Sequence, residues 1–221
     1  INIFGPFLWP VHYSALKKVY MVLISIFDSF IGNLLNTSWL EFVAVFFGLL
    51  SVWYAKQEKI WVYPTGIISV IIYVYLCFVY KLYADAGINF FYFLMSVYGW
   101  YKWTHKDNRD KVIPISRNTT LQHVLSIVAT VAFFFILRYV LTNFTDSTVP
   151  NWDSATTAIF IVGMWLMALK KIENWIFWII GDLISIPLYF HKGLLLTSFQ
   201  FTVFLVIAIS GYLEWRKKIN Q

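Results

Sequence analysis

The sequence predicts an all-α integral membrane protein of seven transmembrane helices. Composition, apolar segments of bilayer length and an internal repeat carry that prediction. Of the 221 residues, 60% are hydrophobic and 13% charged, with a mean hydropathy of +0.68. A soluble domain has about 45–50% apolar and about 25% charged residues, so a chain this apolar cannot bury its surface within itself. A helix needs roughly 20 mostly apolar residues to cross the hydrocarbon core.

The first element is the least regular. From Ser14 to Asn36 polar residues recur every three to four positions, among them Lys17, Lys18, Ser25, Asp28 and Asn33. That places them on one helical face and predicts an amphipathic helix lying in the interface, within an N-terminal segment 1–38, in preference to an eighth span. Three spans follow, Trp39 to Ala55, Ile60 to Tyr80 and Ala86 to Trp103, forming a first bundle over 39–103. A basic loop, 104–120, contains Lys106, Arg109, Lys111 and Arg117. A single span from Leu121 to Leu141 occupies a linker region at 121–142. The second bundle, 152–215, holds Ala155 to Leu169, Asn174 to His191 and Leu194 to Leu213, before a basic tail at 216–221.

The two triplets correspond. Trp53 and Trp165, Gly99 and Gly211, and Trp103 and Trp215 each lie 112 residues apart, and the triplets end in "GWYKW" and "GYLEW". Three crossings reverse a chain's direction, so one added span makes the two triplets parallel, a 3+1+3 layout. Parallel repeats about an axis along the membrane normal are a transporter architecture, with solute bound near the midplane. Lysine and arginine concentrate in the loops next to Lys56, Lys102 and Lys170 and in the tail, which puts the C-terminus in the cytoplasm. Trp103 and Trp215, at span ends beside cationic loops, read as interfacial anchors.

Polar residues inside spans face a bundle interior or cavity, because lipid cannot satisfy them. In the sixth span Trp175, Trp178, Asp182, Ser185 and Tyr189 advance by three, four, three and four, which makes one helical stripe. Asp182 is the foremost candidate. It holds a cationic solute with help from indole and phenol faces, or it is protonated, or it pairs with Arg138, the only basic candidate for a partner within a span. Asn89 and Gln200 are amides that serve either as solute contacts or as bridges between helices; Tyr92 shares the third span with Asn89, and Tyr73 supplies a hydroxyl in the second. Ser69, Ser96 and Ser185 read as helix-packing residues.

The sequence contains no phosphate-binding loop, no HExxH or paired histidines and no nucleophile elbow. A catalytic centre, a metal site and a cofactor are therefore not expected, and neither is a nucleic-acid partner. The lone Cys77 excludes an internal disulfide.

Three motifs, "SVYGWYKW" from Ser96, "ENWIFWIIGDLISIPLYFHKG" from Glu173 and the closing "GYLEW", resemble the PnuC family of bacterial nicotinamide riboside transporters. The resemblance covers about Trp39 to Trp215. It implies two three-helix bundles joined by a linker helix, a homotrimer in the bacterial cytoplasmic membrane, and facilitated diffusion with trapping by a cytosolic kinase. The family's WxxW motif matches Trp175 and Trp178, and its polar and aromatic contacts fall around Asn89, Tyr92 and Gln200. A transporter of another flat vitamin or small sugar is the alternative, ahead of a membrane-embedded sensor or enzyme.

Overall fold

The computed structural model describes residues 9–36, 38–80, 83–105 and 112–220. Lys106, Arg109 and Lys111 of the basic loop lie outside the described residues. Eight α-helices are described: α1 (Trp9–Asn36), α2 (Trp39–Lys56), α3 (Val62–Val79), α4 (Tyr83–Thr104), α5 (Thr120–Phe144), α6 (Pro150–Ala168), α7 (Asn174–His191) and α8 (Leu195–Ile219). Local chemistry sets several starts. Ser38 caps α2 by accepting the Glu41 N–H, Thr119 and Gln122 form a reciprocal capping box on α5, and Pro150 opens α6 where no N–H is needed. By length and composition α2, α3, α5 and α8 are apolar enough to cross a membrane.

Helix α3 packs between α2 and α4, and α7 between α6 and α8. These two sets meet through α2 with α8 and α4 with α6, while α5 leans mainly on α6 and α1 on α8. Phe30 of α1 meets Phe199 of α8 edge-on, with ring centroids 5.9 Å apart.

The 112-residue repeat is visible as repeated contacts. After α2 the chain turns through Glu58 (φ 62°), and after α6 through Lys170 (φ 50°), each in the left-handed region that non-glycine residues seldom adopt. Their backbone bonds match: Glu58 N–H to Ala55 O and Lys59 N–H to Tyr54 O, then Lys170 N–H to Met167 O and Lys171 N–H to Leu166 O. These bonds satisfy carbonyls left open at the helix ends. The two turns lie against each other, and Lys170 Nζ donates to Glu58 Oε1 at 2.9 Å. The indole N–H of Trp103 donates to Met167 O at 3.3 Å, and that of Trp215 to Ala55 O at 3.1 Å. Each half thus inserts a tryptophan into the turn of the other. Trp103 and Trp215 are 5% and 0% exposed, which corrects the reading of them as interfacial anchors. Their indole donors are used inside the protein.

This seam ties the basic ends of α2, α4, α6 and α8 together. Lys218 adds a 2.8 Å bond to Glu58, and Lys56 pairs with Glu214 at 3.1 Å. Ser116 exchanges backbone bonds with the Lys170–Ile172 stretch, so the end of the basic loop also packs here.

Candidate functional site

Helix α7 brings its predicted stripe inside. Trp175, Asp182 and Ser185 are 0%, 2% and 0% exposed, and Trp178 and Tyr189 are half-buried. Four polar atoms of the stripe are buried without a hydrogen-bond partner: Trp175 Nε1, Trp178 Nε1, Asp182 Oδ2 and Ser185 Oγ. Leaving a buried polar group unmet costs about 1–3 kcal/mol, and more for a charged one. Four along one face of one helix make a strong signature of a site that a polar ligand or water completes. Arg138 is exposed on α5, and no ion pair joins it to Asp182. The pairing alternative for Asp182 therefore fails: α5 rests mainly on α6.

Three other predicted residues, Tyr73, Gln200 and Tyr92, come together from both halves. Tyr73 of α3 lies near Tyr189 of α7 and near the Gln200 side chain of α8. Tyr92 of α4 lies near Tyr189 as well. All three, like Tyr189, are half-buried. Asn89 sits on the same helix as Tyr92, and its amide N–H donates to its own backbone at Asp85 O, 2.9 Å away. Its carbonyl is the end left for another partner. Trp175 lies deeper, edge-on to Trp215 at 5.6 Å, with its ring over Gly211.

Two functional candidates escaped the sequence reading. Phe160 of α6 stacks on Trp178 with centroids 5.3 Å apart, and Phe201 of α8 stacks on both Phe160 (5.9 Å) and Tyr189 (5.1 Å). A phenylalanine inside an apolar run gives no periodic signal, but the repeat offset sets Phe160 against Gly48. That mismatch was legible. Ser69 does serve packing, donating to Ala44 O at 2.8 Å.

At the end away from the basic seam, Lys192 pairs with Asp153 at 2.6 Å and lies over the Tyr189 ring, 5.5 Å from its centroid. Ser147 donates to the other Asp153 oxygen at 2.7 Å. Among the described residues, Lys170 and Lys192 are thus each engaged by a carboxylate.

Comparison with known proteins follows the same lines. The sequence profile of the family described as nicotinamide mononucleotide transporter matches residues 38–217. The nicotinamide riboside transporter PnuC of Escherichia coli (strain K12) is 28% identical over 205 residues, covering 81% of this chain and 86% of that protein. The riboflavin/roseoflavin transporter RibM of Streptomyces davaonensis is 21% identical over 180 residues, covering 80% and 84%. A crystal structure of the vitamin B3 transporter PnuC superposes with a TM-score of 0.66 at 26% identity, covering 91% of both chains.

Proposed function

The chain belongs to the nicotinamide mononucleotide transporter family, a multi-pass membrane protein and not an enzyme, and from that premise we propose that it takes up nicotinamide riboside by facilitated diffusion. The observation that carries the substrate is the unpartnered Asp182 carboxylate beside the aromatic faces of α7. Nicotinamide riboside is a flat pyridinium cation with an amide and a ribose. Trp178 and its stacked neighbours offer a face to the ring, Asp182 favours the charge, and Asn89, Gln200, Tyr73, Tyr92 and Tyr189 address the amide and hydroxyls. Trp175 supports Trp178 from the seam. A phosphorylated solute would bring negative charge to a buried carboxylate with both nearby lysines already paired, which is costly. Phosphorylation by a cytosolic kinase would then trap the product inside. A second reading, another flat vitamin, draws on the similarity to RibM; the carboxylate favours the cation over an uncharged ring.

The finer architecture belongs to the same proposal. Helices α2 to α8 are seven crossings, arranged as two parallel three-helix bundles joined by α5, with α1 as an amphipathic helix at the interface. The basic end faces the cytoplasm of a bacterial cell, with the C-terminus there. The protomers form a homotrimer; the broad apolar face of α5, with Leu121, Val128 and Phe135 exposed, is available to lipid or a neighbouring subunit. In this scheme the paired turns at Glu58 and Lys170 close the cytoplasmic exit and part for release.

Trp178→Ala tests the ring contact. Riboside affinity should fall by about 1–3 kcal/mol, the scale of stacking a base on an aromatic side chain. Unchanged affinity in a normally folded variant, measured by calorimetry, would remove Trp178 from the site.

A further inference from the structure

Departures from the 112-residue repeat mark where one half has been remodelled. In the first half, small side chains close α2 onto α3. A Cβ on Gly48 would stand 3.1 Å from Ser69 Oγ, and one on Gly66 would stand 2.9 Å from Ser51 Oγ. The Ser51 hydroxyl donates to Val62 O at 2.7 Å, so its hydroxyl, like that of Ser69, is committed to the backbone. At the repeat offset the same positions in the second half hold Phe160 and Gly181, and Gly163 and Trp178.

Both contacts survive there, but each now sets a large ring against a glycine. A Cβ on Gly181 would collide with Phe160, at 2.8 Å from both Cδ1 and Cζ and closer still to Cε1. A Cβ on Gly163 would lie 3.2 Å from Phe177 Cβ and 3.6 Å from Trp178 Cε2. The two glycines therefore make room for the two rings. The result is a column of four rings from three helices. Trp178 stacks on Phe160 at 27°, Phe160 on Phe201 at 9°, and Phe201 on Tyr189 at 10°. Phe160, an inner ring at 9% exposure, backs Trp178 on one side and Phe201 on the other.

We infer that Phe160 is a specificity-determining positioning residue: seated on Gly181, it fixes the plane of Trp178 and so makes the site select a flat aromatic cation. The inference rests on the nicotinamide riboside reading and adds that the ring end of the solute is recognised in the second half only. Phe160 acts through Trp178 and needs no contact with solute. Stacking holds the indole in one orientation before binding, which lowers the ordering cost of binding.

The test titrates purified protein with nicotinamide riboside and with its reduced dihydro form, which keeps the ribose and amide but has a neutral, non-aromatic ring. Phe160→Val removes every ring atom near Gly181. It should weaken riboside binding about tenfold, the scale of one aromatic pair, and change binding of the reduced form less than about twofold. The maximal uptake rate should hold while KM rises. Gly181→Ala should lower the melting temperature and riboside affinity together. Adding Phe160→Val to it should recover melting but not selectivity. Phe160→Tyr, which keeps the ring, should retain selectivity, and Phe160→Leu replaces Phe160→Val should the latter fail to fold. A wild-type ratio of the two affinities in Phe160→Val or Phe160→Leu would overturn the role of Phe160 while leaving the substrate intact, and so would equal loss of both ligands. Wild-type protein that bound neither form would overturn the substrate reading, and this proposal with it.

Discussion

Asp182→Asn should weaken nicotinamide riboside binding by roughly thirty- to a hundredfold, with little effect on the neutral reduced riboside. The substitution keeps shape and most hydrogen-bonding capacity and deletes the charge. Two unit charges at about 6–7 Å in an effective dielectric of about 20 attract by about 2–3 kcal/mol, which sets the expected loss. Asp182 has no basic partner among the described residues, so the variant leaves no orphaned cation behind. Its melting temperature should stay close to that of the parent or rise. Paired titrations of the two ribosides check this. Equal weakening of both, with a large melting shift, would make Asp182 a scaffold residue.

Locking the seam should have the largest effect on transport itself. With Cys77→Ser as background, Glu58→Cys and Lys170→Cys joined by a short bis-thiol-reactive linker should abolish uptake and leave riboside binding within about threefold. Cleaving the linker should restore uptake. The reasoning is geometric: Glu58 and Lys170 meet between the two halves, and the two indole N–H bonds beside them cross the same boundary. Any motion that opens the basic end must separate them. Undiminished uptake in the fully cross-linked protein would place the exit elsewhere. The latch should not titrate in the neutral range. Burial pushes the Glu58 carboxyl up, but hydrogen bonds and charge from Lys218 and Lys170 outweigh it, leaving its pKa below the ordinary 4.5. A lowered folded pKa means the stabilisation is present above the unfolded value and is lost as pH falls through the folded one. Closure should therefore weaken only in acid below about pH 4.5.

Much of this is legible in the sequence. The α7 stripe follows from spacing alone, since a helix turns every 3.6 residues, and the structure places Asp182 and Ser185 inside as that spacing requires. Helix limits followed from apolar length. The tryptophans of the seam were misread for a physical reason: an indole beside lysines at a helix end looks the same in sequence whether it meets headgroups or another helix. Its actual acceptor, Ala55 O for Trp215, lies 160 residues away. Arg138 was ambiguous because periodicity does not say which face of α5 meets α6. Phe160 and Phe201 lacked a polar signature, yet Phe160 opposite Gly48 in the repeat was readable as broken symmetry.

The central claim is passive carriage of nicotinamide riboside, and uptake of labelled riboside into liposomes holding the purified wild-type chain tests it most directly. With no proton or sodium gradient imposed, uptake should saturate, level off when inside and outside concentrations match, and be poorly inhibited by the mononucleotide. Uptake that required an ion gradient, or that was inhibited as strongly by the mononucleotide as by the riboside itself, would contradict it.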